Sequence, residues 1–172
     1  MLHNLKKRNS QKGFTIIEVM IVLAIAGLIM LVVFLAVPAL QRSSRNTQRK
    51  NDVSAIASTV ANYIDNNGGT LPKGYAASGV NLVVCNTGTT CTGSGLNTET
   101  AKLGYYAPGN VKIITSGKGT TTLDAEHVEI VDGYACDDTS TAVGNASSRS
   151  AAIHYAVETN SSGGTAQQCT EQ

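Results

Sequence analysis

Between residues 14 and 40 the chain carries a single charged side chain, Glu18, in a run that is otherwise almost wholly apolar. As a helix, this run would be about 40 Å long at the usual rise per residue. That exceeds the roughly 30 Å of hydrocarbon in a bilayer, so the segment is long enough to span one. The residues in front of it include Lys6, Lys7, Arg8 and Lys12 and no acid. One reading is a secretory signal cut after Val37-Pro38-Ala39, although signal cores run only about 7–15 residues and this one is longer and interrupted by a carboxylate. A second reading is a plain membrane anchor. Basic residues flank both ends, with Arg42, Arg45, Arg49 and Lys50 on the far side, so charge does not fix its orientation.

A third reading explains more of the residues. Lys12-Gly13-Phe14-Thr15-Ile16-Ile17-Glu18 resembles the N-terminus of the type IV prepilin family: a basic leader ending in Gly, then Phe, then Glu four residues later, then the hydrophobic stretch. The resemblance implies that a prepilin peptidase cuts between Gly13 and Phe14 and that the new amine of Phe14 is N-methylated. It further implies that mature subunits polymerise into a filament with these helices at its core. Implied partners are that peptidase, an assembly platform, other pilins and further copies of the chain, with the cytoplasmic membrane holding the single-pass precursor and the cell surface the assembled pilus.

Glu18 separates the readings. A carboxylate in the membrane costs about 2.5–3.5 kcal/mol on insertion scales, which marks it as a functional residue by default. Positions 14 and 18 share one helical face, so Glu18 is placed to pair with the amine of a processed Phe14, its own or a neighbour's. At about 4 Å and an effective dielectric near 20, the attraction is roughly 4 kcal/mol before desolvation is subtracted. The resemblance favours the intermolecular pair and makes Glu18 an assembly residue. Gly27 and Pro38 are the helix-weakening residues of the run, and Pro38 should bend or break the helix near Phe34. By the same resemblance, residues 27–38 are helical in the membrane and partly melted in the polymer.

Beyond Pro38 the helix should resume, because Val53, Ile56, Ala57, Val60, Ala61 and Ile64 recur at three- and four-residue steps. Asn66-Asn67-Gly68-Gly69 should end it, with Gly68 in a left-handed cap. Residues 41–52 look polar on every side, and Arg42, Arg45 and Arg49 fall on one face. That face reads as solvated, as a contact for lipid headgroups, or as a dock for a neighbour's acidic domain. From Asn51 onward there are five basic and eleven acidic residues, a balance that argues against this part gripping a phosphate backbone.

The C-terminal residues predict a small β domain. Candidate strands are 80–85, 103–107, 111–115, 127–131 and 151–159, with Pro108-Gly109-Asn110 turning a hairpin between the second and third. Four cysteines in an exported domain favour two disulfides, and sequence neighbours meet at the lowest entropic cost, giving Cys85–Cys91 and Cys136–Cys169. The expected fold is therefore α+β: a long N-terminal helix, hydrophobic in its first half, whose second half packs on an antiparallel sheet closed by disulfides. In segments, this is a leader at 1–13, a membrane or filament-core helix at 14–40, its amphipathic continuation at 41–67 and a β-rich domain at 68–172.

Catalytic signatures are lacking: the sequence holds no phosphate loop, no GxSxG and no HExxH. His127 and His154 read as strand residues facing solvent or a polar partner. The cysteine and histidine spacings fit no zinc site, and the acids Asp124, Glu126, Glu129, Asp132, Asp137 and Asp138 read as a solvated surface rather than a calcium loop. No cofactor or metal is expected, and Asn145-Ala-Ser and Asn160-Ser-Ser are weak glycosylation signals. The chain thus reads as a non-enzymatic structural subunit of a type IV pilus, the alternatives being a pseudopilin of a secretion or competence system and an anchored domain that does not polymerise.

Overall fold

The computed structural model describes residues 13–87, 91, 97–114, 117–159 and 163–172. The chain divides into two compact units, Met1–Ala39 and Leu40–Gln172. One helix, α1 (Ile16–Asn66), runs through the boundary in sequence. The leader lies outside the described residues apart from Gly13.

In the first unit every described residue is exposed, including Phe14 at 88 % and Leu35 at 74 %. The helix is long and apolar enough to cross a membrane. It also runs unbroken through Gly27 and Pro38, so the interruption expected near Phe34 is absent from the single chain. One proline costs about 3 kcal/mol in a helix interior, and the strong helix formers on either side hold the segment together.

In the second unit α1 buries Val53, Ile56, Ala57, Val60 and Tyr63. The helix stops where the sequence requires. Gly68 takes a left-handed φ of 65°, and the Gly69 N–H donates to the Ile64 carbonyl at 2.8 Å, the long bond of a Schellman cap.

Among the described residues seven strands follow: β1 (Gly74–Ser78), β2 (Asn81–Cys85), β3 (Thr98–Lys102), β4 (Val111–Ile114), β5 (Val128–Cys136), β6 (Val143–Glu158) and β7 (Thr165–Glu171). They form two sheets rather than one: an antiparallel β1-β2-β3 and a mixed β4-β5-β6-β7. The hairpin expected between 103–107 and 111–115 is not there. Residues 103–107 form no strand, Pro108–Asn110 is a 3-10 turn, and β4 pairs parallel with β5. The cause is on α1: Asp52 accepts the N–H groups of Gly104, Tyr105 and Tyr106 at 2.8, 2.7 and 2.9 Å, taking donors that a strand ladder would need.

The larger sheet has two covered faces. Val128, Ile130, Ile153, Tyr155 and Val157 pack in the cluster that includes Val53, Ile56 and Val60 of α1. Val131, Ala152 and Cys169 form a second cluster with Val143, Ile114 and Tyr134. Cys85 is bonded to Cys91 and Cys136 to Cys169, with Cα separations of 5.6 and 5.7 Å.

Candidate functional site

The start of α1 is built by Thr15 and Glu18. Thr15 is the N-cap, since its carbonyl accepts the first helical bond, from the Val19 N–H. The Glu18 carboxylate accepts both the Thr15 N–H at 2.8 Å and the Thr15 hydroxyl at 2.7 Å. The Thr15 hydroxyl in turn accepts the Glu18 N–H at 3.3 Å. This is a capping box, Thr-x-x-Glu, and it satisfies donors that a helix end otherwise leaves open. Phe14 and Val19 occupy the two staple positions around the cap and line one shallow recess with Glu18, Val22 and Leu23. A carboxylate thus sits at the mouth of an apolar recess, beside the Gly13-Phe14 junction. Gly13, Phe14 and Glu18 lie together there, while Gly27 and Pro38 lie further along the helix, on later turns.

Sequence reasoning gave Glu18 a partner in the Phe14 amine and overlooked Thr15. The signal was present, because Thr followed three residues later by Glu, ahead of an apolar run, is the capping-box pattern.

In the second unit Arg45 and Arg49 are both ion-paired, Arg49 buried and the Arg45 side chain still 41 % exposed. Glu158, at the end of β6, receives Arg45 Nη2 at 2.6 Å and Arg49 Nη2 at 2.7 Å. Arg49 is 1 % exposed and its guanidinium lies 4.4 Å from the Tyr105 ring centre. Asn46 pairs with the Glu158 backbone in both directions, its amide nitrogen donating to the carbonyl at 2.8 Å and its oxygen accepting the N–H at 2.9 Å. Arg45 and then Arg49 hold the Glu158 carboxyl down, at about 2. The segment read as polar on every side therefore buries Arg49 and Asp52, which are held by partners far away in sequence, although the Arg49 Nε completes no hydrogen bond.

The histidines divide. His127 is exposed, its Nδ1 2.6 Å from Asp124 Oδ1. His154 is fully buried rather than solvent-facing, opposite Glu129 on β5. Neither ring nitrogen completes a hydrogen bond, and burial pushes its pKa down despite Glu129 beside it. Glu129 is buried as well. Burial pushes its carboxyl up, but the Thr120 N–H at 2.8 Å and Lys112 outweigh this and hold it below its ordinary value. Gly119 permits that approach, since a Cβ there would stand 2.7 Å from the carboxylate. Asp137 folds its own turn by accepting the Thr139 hydroxyl and the N–H groups of Thr141 and Ala142. Among the described residues no group of three or more His, Cys, Asp or Glu side chains is placed to hold a metal ion. Asn145 is exposed on β6, and Asn160 lies outside the described residues.

Residues 8–34 match the family model of the prokaryotic N-terminal methylation motif. The chain carries the signal motif of type IV pilins. The motif covers Gly13, Phe14, Glu18 and Gly27, supports a pilin-like or pseudopilin precursor and points to a structural protein rather than an enzyme. It implies processing by a prepilin peptidase, assembly with other pilins and, with the apolar helix, a membrane-anchored precursor. Comparison with curated proteins and with solved structures gave no match.

Proposed function

We propose that the chain is a structural subunit of a type IV pilus. Cleavage between Gly13 and Phe14 frees an amine that is then methylated, and the mature subunits polymerise through the apolar part of α1. The observation that carries this reading is the lone carboxylate of Glu18 beside the proposed cleavage point, on a helix whose apolar side chains up to Leu40 all stand exposed. Each large apolar side chain gains about 1.5–3 kcal/mol on leaving water, so the helix seeks either lipid or other helices. Glu18 decides between them. In lipid it is a cost, whereas a positively charged amine on a neighbouring helix offsets that cost and fixes the axial register.

Residues 27–38 would then soften in the polymer, where packing against neighbouring helices offsets part of the cost of the lost backbone bonds. The fibre extends from the cytoplasmic membrane to the cell surface, built of copies of this chain with other pilins on an assembly platform.

Sequencing of the mature protein tests the first step: a chain beginning at methylated Phe14 supports it, and one retaining the leader or beginning at Leu40 refutes it. Imaging of the polymer tests the second. Long surface fibres mark a pilus, short ones confined beneath the outer envelope mark a pseudopilus, and solitary molecules end the proposal.

A further inference from the structure

The second unit holds a buried acid that takes no part in the assembly chemistry. Asp132 lies on β5, on the same side as Val128 and Ile130 by strand alternation, and is 9 % exposed. Its Oδ1 accepts the hydroxyl of Tyr75 on β1 at 2.7 Å. Its Oδ2 is buried with no hydrogen-bond partner. The backbone has been shaped around this contact, since the β5–β6 register shifts between Asp132 and Tyr134 and Gly133 between them has a φ of 76°. β1 belongs to the smaller sheet and β5 to the larger. Among the described residues no other side-chain hydrogen bond joins a strand of one sheet to a strand of the other.

We infer that Asp132 is a proton-operated joint between the two sheets, closed when the carboxyl is neutral and loosened when it is charged. The geometry is that of an acid. A carboxylate buried with a single donor leaves charge on an oxygen that nothing stabilises, and the neutral form avoids that cost. The titratable groups around it are phenols, Tyr75 of β1 directly and Tyr63 of α1 through Tyr75, and among the described residues no charged side chain acts on the carboxyl. Burial, opposed only by the Tyr75 hydroxyl, raises Asp132 to about 6 from an ordinary 3.8.

The sign follows from that direction. A carboxyl whose pKa is raised by folding contributes most below its ordinary value, and the contribution is lost as pH rises through about 6. A rise of roughly two units, tenfold for each, sets an upper bound of roughly a hundredfold on the change in the opening equilibrium. Mild acid closes the joint and neutral or alkaline medium frees the β1-β2-β3 sheet to move.

The experiment uses the full chain in detergent micelles. Carbon-13 labelling of aspartate reads the Asp132 carboxyl directly, and a midpoint nearer 6 than 3.8 is expected, whereas one nearer 3.8 overturns the inference. Hydrogen exchange of the β1 amides, corrected for intrinsic rate, should be slower at mildly acidic than at neutral pH. In Asp132→Asn that contrast should vanish, and its persistence overturns the inference. Should Asp132→Asn fail to fold, Tyr75→Phe removes the one donor and is expected to raise the Asp132 midpoint further, while an unmoved or lowered midpoint counts against the joint.

Discussion

The two units handle polarity in opposite ways. In Met1–Ala39 the described apolar side chains are all exposed and the one described charge is capped by its neighbour Thr15. In Leu40–Gln172 the apolar side chains are inside, and several charges are inside with them: Arg49, Asp52, Glu129 and Asp132. The first unit therefore has almost nothing in its own fold to keep it in water, and its stability belongs to whatever surrounds it. The second unit meets its own needs, down to the carboxylates that replace missing strand partners. Among the described residues Leu40 and Val80 are its large exposed hydrophobics, so it presents little apolar surface to another molecule. On the function proposed above, assembly and folding fall to different residues, and a substitution should disturb one while sparing the other.

The largest effect expected is on assembly. Glu18→Gln keeps a side chain able to accept the Thr15 bonds, so the helix start survives and cleavage proceeds, but the amine loses its charged partner. Fibre yield should fall to a trace while the thermal unfolding of the second unit is unchanged, and normal fibres from this variant would erase the distinction drawn above. A Glu158→Gln chain should show the reverse. It leaves the buried Arg49 without its anion, a loss of about 3–5 kcal/mol for a broken buried pair, read by denaturant unfolding. Precursor processing should proceed normally in that variant.

Smaller effects come next. Replacing Cys136 and Cys169 by serine opens a link between residues 33 apart and should cost about 2–4 kcal/mol. The pH profile carries two opposed contributions at the acid end, one from Asp132 as described and one from the groups that follow. Glu158, held down to about 2, contributes its pairing above its ordinary 4.5 and loses it as pH falls from there toward 2. His154, a base whose pKa is lowered by burial, contributes above its ordinary 6.5 and loses that contribution as pH falls. His154→Leu should flatten the profile near neutral pH and raise stability at pH 5 by about 1 kcal/mol, because it removes two buried nitrogens that have no partner. Lower stability in that variant would show that the ring has a partner in solution.

How far the sequence revealed all this depends on distance along the chain. The apolar run, the Gly68 cap and the core stripe at Val53, Ile56 and Val60 are local patterns, and periodicity finds them. The cap at Thr15 was equally local and was missed because Glu18 had been given another partner. Arg49 and Asp52 could not be found this way, since on a helical wheel a charge reads as solvent and the partners that hold them inside, Tyr105 and Glu158 for Arg49 and residues 104–106 for Asp52, lie more than fifty residues away. Asp52 also explains the misplaced hairpin. Leu103, Tyr105 and Tyr106 have the composition of a strand, and only the carboxylate on α1 decides that their N–H groups turn elsewhere. The direction of β4 was beyond reach for a similar reason, because alternation along a strand is identical whether its neighbour runs parallel or antiparallel.

One consequence of the Thr15 cap concerns any protease that works here. By consuming its own amide and hydroxyl in the first turn, Thr15 holds the backbone at Gly13 and Phe14 outside the helix, in the open form that enzymes require for hydrolysis. On the reading proposed above, the junction to be cut is thereby left outside the first helical turn.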